Sequence, residues 1–514
     1  MPVRIAFIGA GSVGFTRTLF RDVLTVPELA DTEFTFHDIS QRNLDMVTQL
    51  CRKDLEANAV GASIHSTLDR REALEGAHYI INCTRIGGLE AFQLDIDIPL
   101  KYGIDQCVGD TLCAGGLMYA QRNIPVILEF CRDIREVAAD DALFLNYANP
   151  MAMNVWAALD AGGPSRGASG GASGGTSGGA SGGASGGTSG GVRTIGLCHG
   201  VQHGHRQIAE VLGAAGPHEV DIIAAGINHQ TWYIRIRYKG RLIGGEELLE
   251  AFEQHETYRR TEKVRIDVLR RFGCYSTESN GHLSEYLPWY RKRPDDIQRW
   301  IDTSDWIHGE TGGYLRVCAE GRNGFETDFP RWLQEAGEPF DPARRSDEHG
   351  SYIIEALETG RAYRGHFNVR NHSAISNLPD DCIVEVPGYV DANGVSIPRV
   401  GELPLACAAT CQASIDVQRM GVKAALEGDV TLLKQAMLHD PLVGAVCDPE
   451  EVWQMVDELL VAQAPWLPQY AGAIEAAKRR LAAGKVPTRQ WSGAARQPVR
   501  NPEQLRRERE KAGA

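Results

Sequence analysis

The 514-residue sequence has no apolar run approaching the roughly 20 residues that cross a bilayer, so it does not read as a helical membrane protein. Positive charge is in deficit. Against 53 Lys and Arg stand 67 Asp and Glu, a net charge of −14, and such a field repels phosphate backbones and anionic lipid surfaces. Neither nucleic acid nor membrane is therefore expected as a partner. The opening residues, MPVRIAFIGAG, lack the basic and apolar regions of a secretory leader, and a cytoplasmic location is expected. Paired cysteine spacings are missing as well. The 12 cysteines lie scattered singly, which reads as reduced thiols and not as a disulfide framework.

What remains is ordinary globular material, 43% hydrophobic and 23% charged, in a chain long enough for two or three fused domains. Val3 to Ile8 is a short β-branched and aromatic run that ends in Gly9-Ala10-Gly11-Ser12-Val13-Gly14, after which Phe15 to Leu24 takes helical spacing. Glu33 to Phe36 reads as a second strand leading to Asp38, and residues 41–57 as an amphipathic helix. Further strands at Tyr79 to Asn82 and Leu143 to Tyr147 flank a helix near 118–137. The expected class is α/β, with an N-terminal Rossmann-type doubly wound parallel sheet like that of lactate and malate dehydrogenases. Beyond Cys198 the pattern changes to strands at 221–225 and 232–238 and helices near 247–272, 350–360, 403–426 and 450–482, a mixed α/β, helix-rich second domain. The division expected is a dinucleotide-binding domain over 1–198, a substrate, metal and oligomerisation domain over 199–489, and a flexible tail over 490–514.

Residues 167–190 are six tandem tetrads of Gly-(Ala/Thr)-Ser-Gly. They have almost nothing to bury and much backbone entropy to lose, so the stretch 162–191 reads as a flexible insert between a helix and a strand of the first domain.

The glycine pattern at 9–14 carries chemistry because a tight turn, a close backbone approach to a pyrophosphate and a close helix–strand contact each call for a missing side chain. Gly9, Gly11, Ser12 and Gly14 are thus candidate cofactor contacts. Asp38, at the end of the second strand, suits the two ribose hydroxyls of NAD and disfavours the 2′-phosphate of NADP. Asn82 is a candidate further wall of that pocket. Cys198-His199 and Asn228-His229 each end an apolar run, so a sulfur and two imidazoles can meet at the carboxyl edge of the sheet. A cysteine with a histidine leaves positions open for substrate oxygens, as a Lewis-acid centre requires. Taken from spacing alone, Cys198 and His229 read more readily as a buried thiol and a hydrogen-bonded structural imidazole. Asp110-Thr111 and the run 146–150 place polar side chains where the ligand crevice of such a sheet lies, or where turns are capped.

GAGSVG (9–14), Asp38, GDT (109–111), NYANPMAMN (146–154), GLCHGVQ (196–202), AGINH (225–229), FGCYSTESNGHLSEYLPWY (272–290), NVRN (368–371), NLP (377–379) and VEVPGYVDANG (384–394) together resemble glycoside hydrolase family 4, closest to its α-galactosidase branch. The likeness runs in order from residue 3 to about 470, broken by the Gly/Ser insert. It implies an α-glycosidase dependent on NAD and a divalent metal, manganese, that stands outside the two-carboxylate scheme. Hydride leaves sugar C3 for NAD, the ketone acidifies the C2 proton, a base removes it, and the glycosidic oxygen departs with help from an acid. Water then adds back and the hydride returns to C3. On this resemblance Cys198 and His229 match the metal ligands, and Asp110 and Asn149 the sugar contacts. His199 matches the position of the acid, and His282 ranks first as base, with Glu278 and Tyr286 as alternatives. The implied substrate is a small α-galactoside, with α-glucosides or uronides of glucose and galactose as alternatives, and the implied assembly a homodimer or homotetramer. The rival reading from another class is an NAD-dependent dehydrogenase that releases NADH.

Replacing residues 167–190 by a four-residue turn should leave kcat/KM nearly unchanged and shift stability by at most about 1–2 kcal/mol, because loop-closure entropy grows only logarithmically with length. Steady-state kinetics and melting of that variant check it; a tenfold fall in kcat with the melting temperature preserved would make the insert a participant in turnover.

Overall fold

The computed structural model describes residues 2–161 and 191–512, so the expected insert lies, apart from Gly191, outside the described residues. One 13-stranded sheet runs through the molecule. Its first half consists of β1 (Arg4–Ile8), β2 (Glu33–His37), β3 (Ser63–Thr67), β4 (Tyr79–Asn82), β5 (Leu143–Asn146) and β6 (Thr194–Gly196). These pair in parallel in the order β3-β2-β1-β4-β5-β6, the doubly wound dinucleotide-binding order. β4 and β5 are buried at every position, as strands covered by helices on both faces must be, and their sequences YIIN and LFLN are correspondingly apolar. Phe7, Phe20 and Phe36 meet edge-on behind β1 and β2 and lock the helix Val13–Leu24 to the sheet.

The second half is antiparallel: β7 (Val220–Ile227), β8 (Gln230–Tyr238), β9 (Arg241–Leu242), β10 (Tyr275–Ser276), β11 (Tyr363–Arg370), β12 (Ile383–Asp391) and β13 (Gly394–Ser396). The sheet order continues β6-β11-β12-β7-β8-β10. The sheet is thus unbroken across residue 198, where the sequence pattern suggested a domain boundary; what changes there is strand direction. Each seam is narrow. β6 meets β11 through the pair Gly196 and Asn368, and β12 meets β7 through Glu385 and Gly226.

The strands β1, β2, β4, β5 and β6, the helix Cys113–Val137, and β7 and β8 fall close to the spans read from the sequence, whereas β3 and the helices Gly88–Lys101, Gly200–Val211 and Gly313–Trp332 were not anticipated. Residues beyond 490, expected to fray, are fastened: the N–H groups of Ala494 and Ala495 donate to Asp105 and Thr311, and Arg500 pairs with Glu320. The helix Pro502–Ala512 ends there, against Gly313–Trp332. All twelve cysteines are free. Among the described residues no helix is long and apolar enough to cross a membrane.

One buried ion pair ties the early and late helices together. Arg122, within Cys113–Val137, donates to both oxygens of Asp95 in Gly88–Lys101 at 2.9 and 2.6 Å, and Gln463, past the helix Pro449–Ala462, donates to Asp95 at 2.7 Å. Both charged side chains are 1% exposed. Arg122→Leu strands the Asp95 carboxylate and should cost about 3–5 kcal/mol, whereas Arg122→Leu with Asp95→Leu should recover most of it, because a buried charge is costly chiefly when unpaired. Urea unfolding of the single and double variants checks the sign and the coupling.

Candidate active site

β6 ends at Gly196, and two residues later the chain delivers Cys198 just ahead of the helix Gly200–Val211, whose N-cap is His199. β7 and β8 close on a two-residue turn, Ile227 facing Gln230, so Asn228 and His229 form the tip. His229 holds φ 64°, a left-handed conformation that a non-glycine residue occupies at a cost. The outcome is a distance of 3.4 Å between Cys198 Sγ and His229 Nε2. The two residues meet as the sequence suggested, but His229 arrives from an antiparallel hairpin and not from the carboxyl edge of the parallel sheet.

Hydrogen bonding fixes the tautomer of His229. The Thr111 hydroxyl donates its one proton to Asp110 Oδ1 at 2.9 Å, so toward His229 Nδ1, 2.8 Å away, it can only accept. Nδ1 therefore carries the ring proton, and Nε2 keeps its lone pair beside the Cys198 sulfur, the arrangement of a metal-ligating histidine. Asp110 is 1% exposed and accepts from Asn149 Nδ2 at 2.8 Å through its other oxygen. The loop carrying Asp110 is held by Glu285, which accepts the N–H groups of Cys107, Val108 and Gly109 at 2.5, 2.9 and 2.9 Å.

Ser279 caps the short helix Asn280–Tyr286, all of whose residues are buried. His282 and Tyr286, four apart, both lie beside His229, at ring-centroid distances of 4.7 and 6.5 Å. His282 Nδ1 lies 2.7 Å from Ser279 Oγ and 3.2 Å from Glu278 Oε2. A carboxylate only accepts, so Nδ1 bears the proton and Nε2 is left basic. Burial lowers His282 to about 4, which keeps the ring neutral near neutral pH. His199 stands apart. Its side chain is 68% exposed, with Nδ1 3.5 Å from Glu348.

Two overlapping donor sets have atoms within 4.8 Å of one another: Cys198, His229 and Glu278, and Asp110, His229 and His282. The first fits a divalent cation better, since Asp110 is already engaged by Thr111 and Asn149. Its separations are 3.4, 3.8 and 3.9 Å. Donors bound tetrahedrally at 2.0–2.3 Å from one centre stand about 3.3–3.8 Å apart, close to these values. Burial, with Glu278 and Glu385 nearby, pushes the Cys198 thiol well up, so a thiolate there needs a cation beside it.

At the other end of the crevice Gly9 takes φ 84° to make the turn after β1. A Cβ on Gly11 would stand 2.7 Å from Asp38 Oδ2, the oxygen that accepts the Gly11 N–H at 2.8 Å. The second glycine is needed here for Asp38. Gly14 departs from expectation: no atom lies within 4 Å of its would-be Cβ, so close helix–strand packing does not require it. Ser12 is the N-cap of Val13–Leu24 but makes no capping bond, which leaves its hydroxyl and the first helical N–H groups available to an anion. Asn82 is buried and engaged inward, donating to Asn146 and accepting from Thr84, so it braces the pocket wall from behind.

Sequence reading missed Arg85 and Glu385. Arg85 packs its guanidinium over Phe92, Tyr119 and Tyr314 and stands 4.0 Å from Asp110, just past the strand end at Asn82. Glu385 is 1% exposed and binds Thr231 at 2.7 Å and Asn368 at 3.3 Å beneath the hairpin. A lone carboxylate inside the apolar run IVEV was the available signal.

The chain matches the profile described as family 4 glycosyl hydrolase over residues 4–165 and that of the family 4 glycosyl hydrolase C-terminal domain over residues 224–443. It is 60% identical to an alpha-galactosidase of Rhizobium meliloti (strain 1021), covering 99% of this chain and 98% of that protein. It is 31% identical to an alpha-galactosidase of Bacillus subtilis (strain 168), covering 91% and 99%. Among solved structures, the 6-phospho-beta glucosidase of Thermotoga maritima with manganese, NAD+ and glucose-6-phosphate shares the fold at TM-score 0.69 and 22% identity, covering 90% of this chain and 99% of that one. By sequence over both halves of its length, the chain belongs to glycosyl hydrolase family 4.

Proposed function

We propose that the protein is an α-galactosidase that cleaves small α-galactosides through transient oxidation of the sugar at C3, using NAD and a divalent cation, manganese, as resident cofactors. The observation that carries this reading is the convergence of Cys198 and His229 to 3.4 Å beside the Asp110–Asn149 pair, in a chain 60% identical to an alpha-galactosidase over 99% of its length.

When bound, NAD accepts and returns a hydride, and the cation polarises the ketone that makes the neighbouring C–H acidic. The protein's residues do the rest. Gly9 and Gly11 shape the phosphate turn, Ser12 and the open helix start face the pyrophosphate, and Asp38 receives the ribose hydroxyls. Ile39, 94% exposed next to Asp38, offers an apolar surface to the adenine. Cys198 and His229 hold the cation, with the Asp110–Thr111 pair keeping His229 in the ligating tautomer. Asp110 and Asn149 orient the sugar hydroxyls. His282 Nε2 is placed to take the C2 proton, and its low pKa keeps it unprotonated before that step. His199, facing the outside of the crevice, donates to the departing glycosidic oxygen.

Dialysed enzyme should hydrolyse p-nitrophenyl α-galactoside only when NAD, Mn2+ and a thiol reductant are restored, since oxidation of Cys198 removes a ligand. No NADH should accumulate, whereas a dehydrogenase would release it. Cys198→Ser should abolish Mn2+ binding along with the activity; full activity of that variant in excess chelator would overturn the assignment. Preference for an α-glucoside or an α-galacturonide in the same assay would keep the reaction and replace the sugar.

Asp38→Ala should weaken NAD by about 1–3 kcal/mol, the scale of hydrogen bonds to a charged group, with Mn2+ affinity unchanged. Calorimetric titration with NAD tests this, and an unaltered dissociation constant would place the adenosine elsewhere.

A further inference from the structure

Gly200 opens the helix that follows Cys198, and a Cβ there would stand 1.9 Å from Glu278 Oε1. The contact is with the carboxylate itself, so any side chain at 200 would push Glu278 out of its place. That place is 3.9 Å from Cys198 Sγ and 3.8 Å from His229 Nε2. The other carboxylate oxygen is used differently: it lies 3.2 Å from His282 Nδ1 and accepts the Ser279 N–H at 3.3 Å.

Glu278 is 8% exposed, and its ion-pair contacts among the described residues are the imidazoles of His229 and His282. No lysine or arginine of the described residues pairs with it. A buried carboxylate without a fixed cation is costly, and the cost falls if a divalent ion sits among the three donors. A thiolate, a carboxylate and a neutral imidazole together bring two negative charges to a doubly charged ion. Three protein ligands also leave open the positions that a Lewis-acid centre needs for substrate oxygens.

We propose that Glu278 is a third protein ligand of the divalent cation, binding through Oε1, and that the absence of a side chain at Gly200 is what admits it. The inference rests on the metal reading of Cys198 and His229 given above. Glu278 thereby leaves the list of candidate bases, because each of its oxygens has a fixed task.

Mn2+ binding to the full-length, NAD-free protein, read as loss of the free-ion signal in electron paramagnetic resonance, tests the proposal without reference to turnover. Glu278→Gln, nearly isosteric, should weaken Mn2+ at least tenfold, within or beyond the roughly 10–100-fold range known for groups that only orient a ligand. Gly200→Ala leaves the carboxylate chemically intact but displaces it, and should weaken Mn2+ likewise. The double variant should bind no more weakly than Glu278→Gln alone, since both changes remove one interaction. An Mn2+ dissociation constant for folded Glu278→Gln within twofold of the parent overturns the proposal; should that variant fail to fold, the same result for Gly200→Ala overturns it. Failure of the underlying metal reading looks different: the parent protein would then bind Mn2+ no better than Cys198→Ser does, and both would fall together.

Discussion

The site depends on a row of four residues that crosses the middle of the sheet. Gly196 on β6 faces Asn368 on β11, Asn368 faces Glu385 on β12, and Glu385 faces Gly226 on β7. At the two seams only these pairs are in register, so the strand delivering Cys198 and the hairpin delivering His229 are related through them. The side chains reinforce the backbone: Asn368 donates to Glu385 at 3.3 Å, and Thr231, just past the hairpin tip, donates to its other oxygen at 2.7 Å. Both outer positions are glycine for want of room. A Cβ would stand 2.6 Å from Met151 Sδ at Gly196 and 2.4 Å from the Gln230 carbonyl oxygen at Gly226. A shift at either seam would change a 3.4 Å sulfur–nitrogen separation that metal chemistry tolerates only within a few tenths of an ångström.

Around that row the protein spends its buried polar groups on orientation. Asp110, Thr111 and His229 form a chain in which each proton has one possible place, and Glu278 does the same for His282. Glu285 holds three consecutive N–H groups of the loop that carries Asp110. Such networks are costly unless complete, which is why they sit on short, fully buried elements such as Asn280–Tyr286 and not on exposed loops. His199, by contrast, is exposed, and its one ion-pair contact among the described residues is Glu348.

Much of this was legible before any coordinates. Five strands punctuated by glycine or polar ends announced a doubly wound sheet, because a strand buried on both faces has little freedom of composition, whereas β3, SIHST and nowhere buried, gave no such signal. The residues placed in the cofactor turn and the Cys198–His229 pair were identified by motif and by family resemblance. Harder to read were Gly14, which packing does not require, and Asn82, which is turned inward to Asn146 and Thr84. Arg85 and Glu385 carried no motif. Their significance comes from what three rings and two neighbouring strands place next to them.

The sequence by itself determined most of the strands of the first half, the NAD-type turn and the family, and it nominated residues for the chemistry. These follow from local periodicity and from motifs whose spacing is a property of one chain segment. Only the tertiary structure decided that His229 comes from a left-handed hairpin tip, that the sheet continues unbroken past residue 198, and that Gly200 and Glu278 share one space. Residues 200 and 278 lie on separate elements, and nothing in local sequence records which side chain will fill a gap left by another. That is settled by close packing, where the absence of one Cβ fixes the position of a carboxylate 78 residues away.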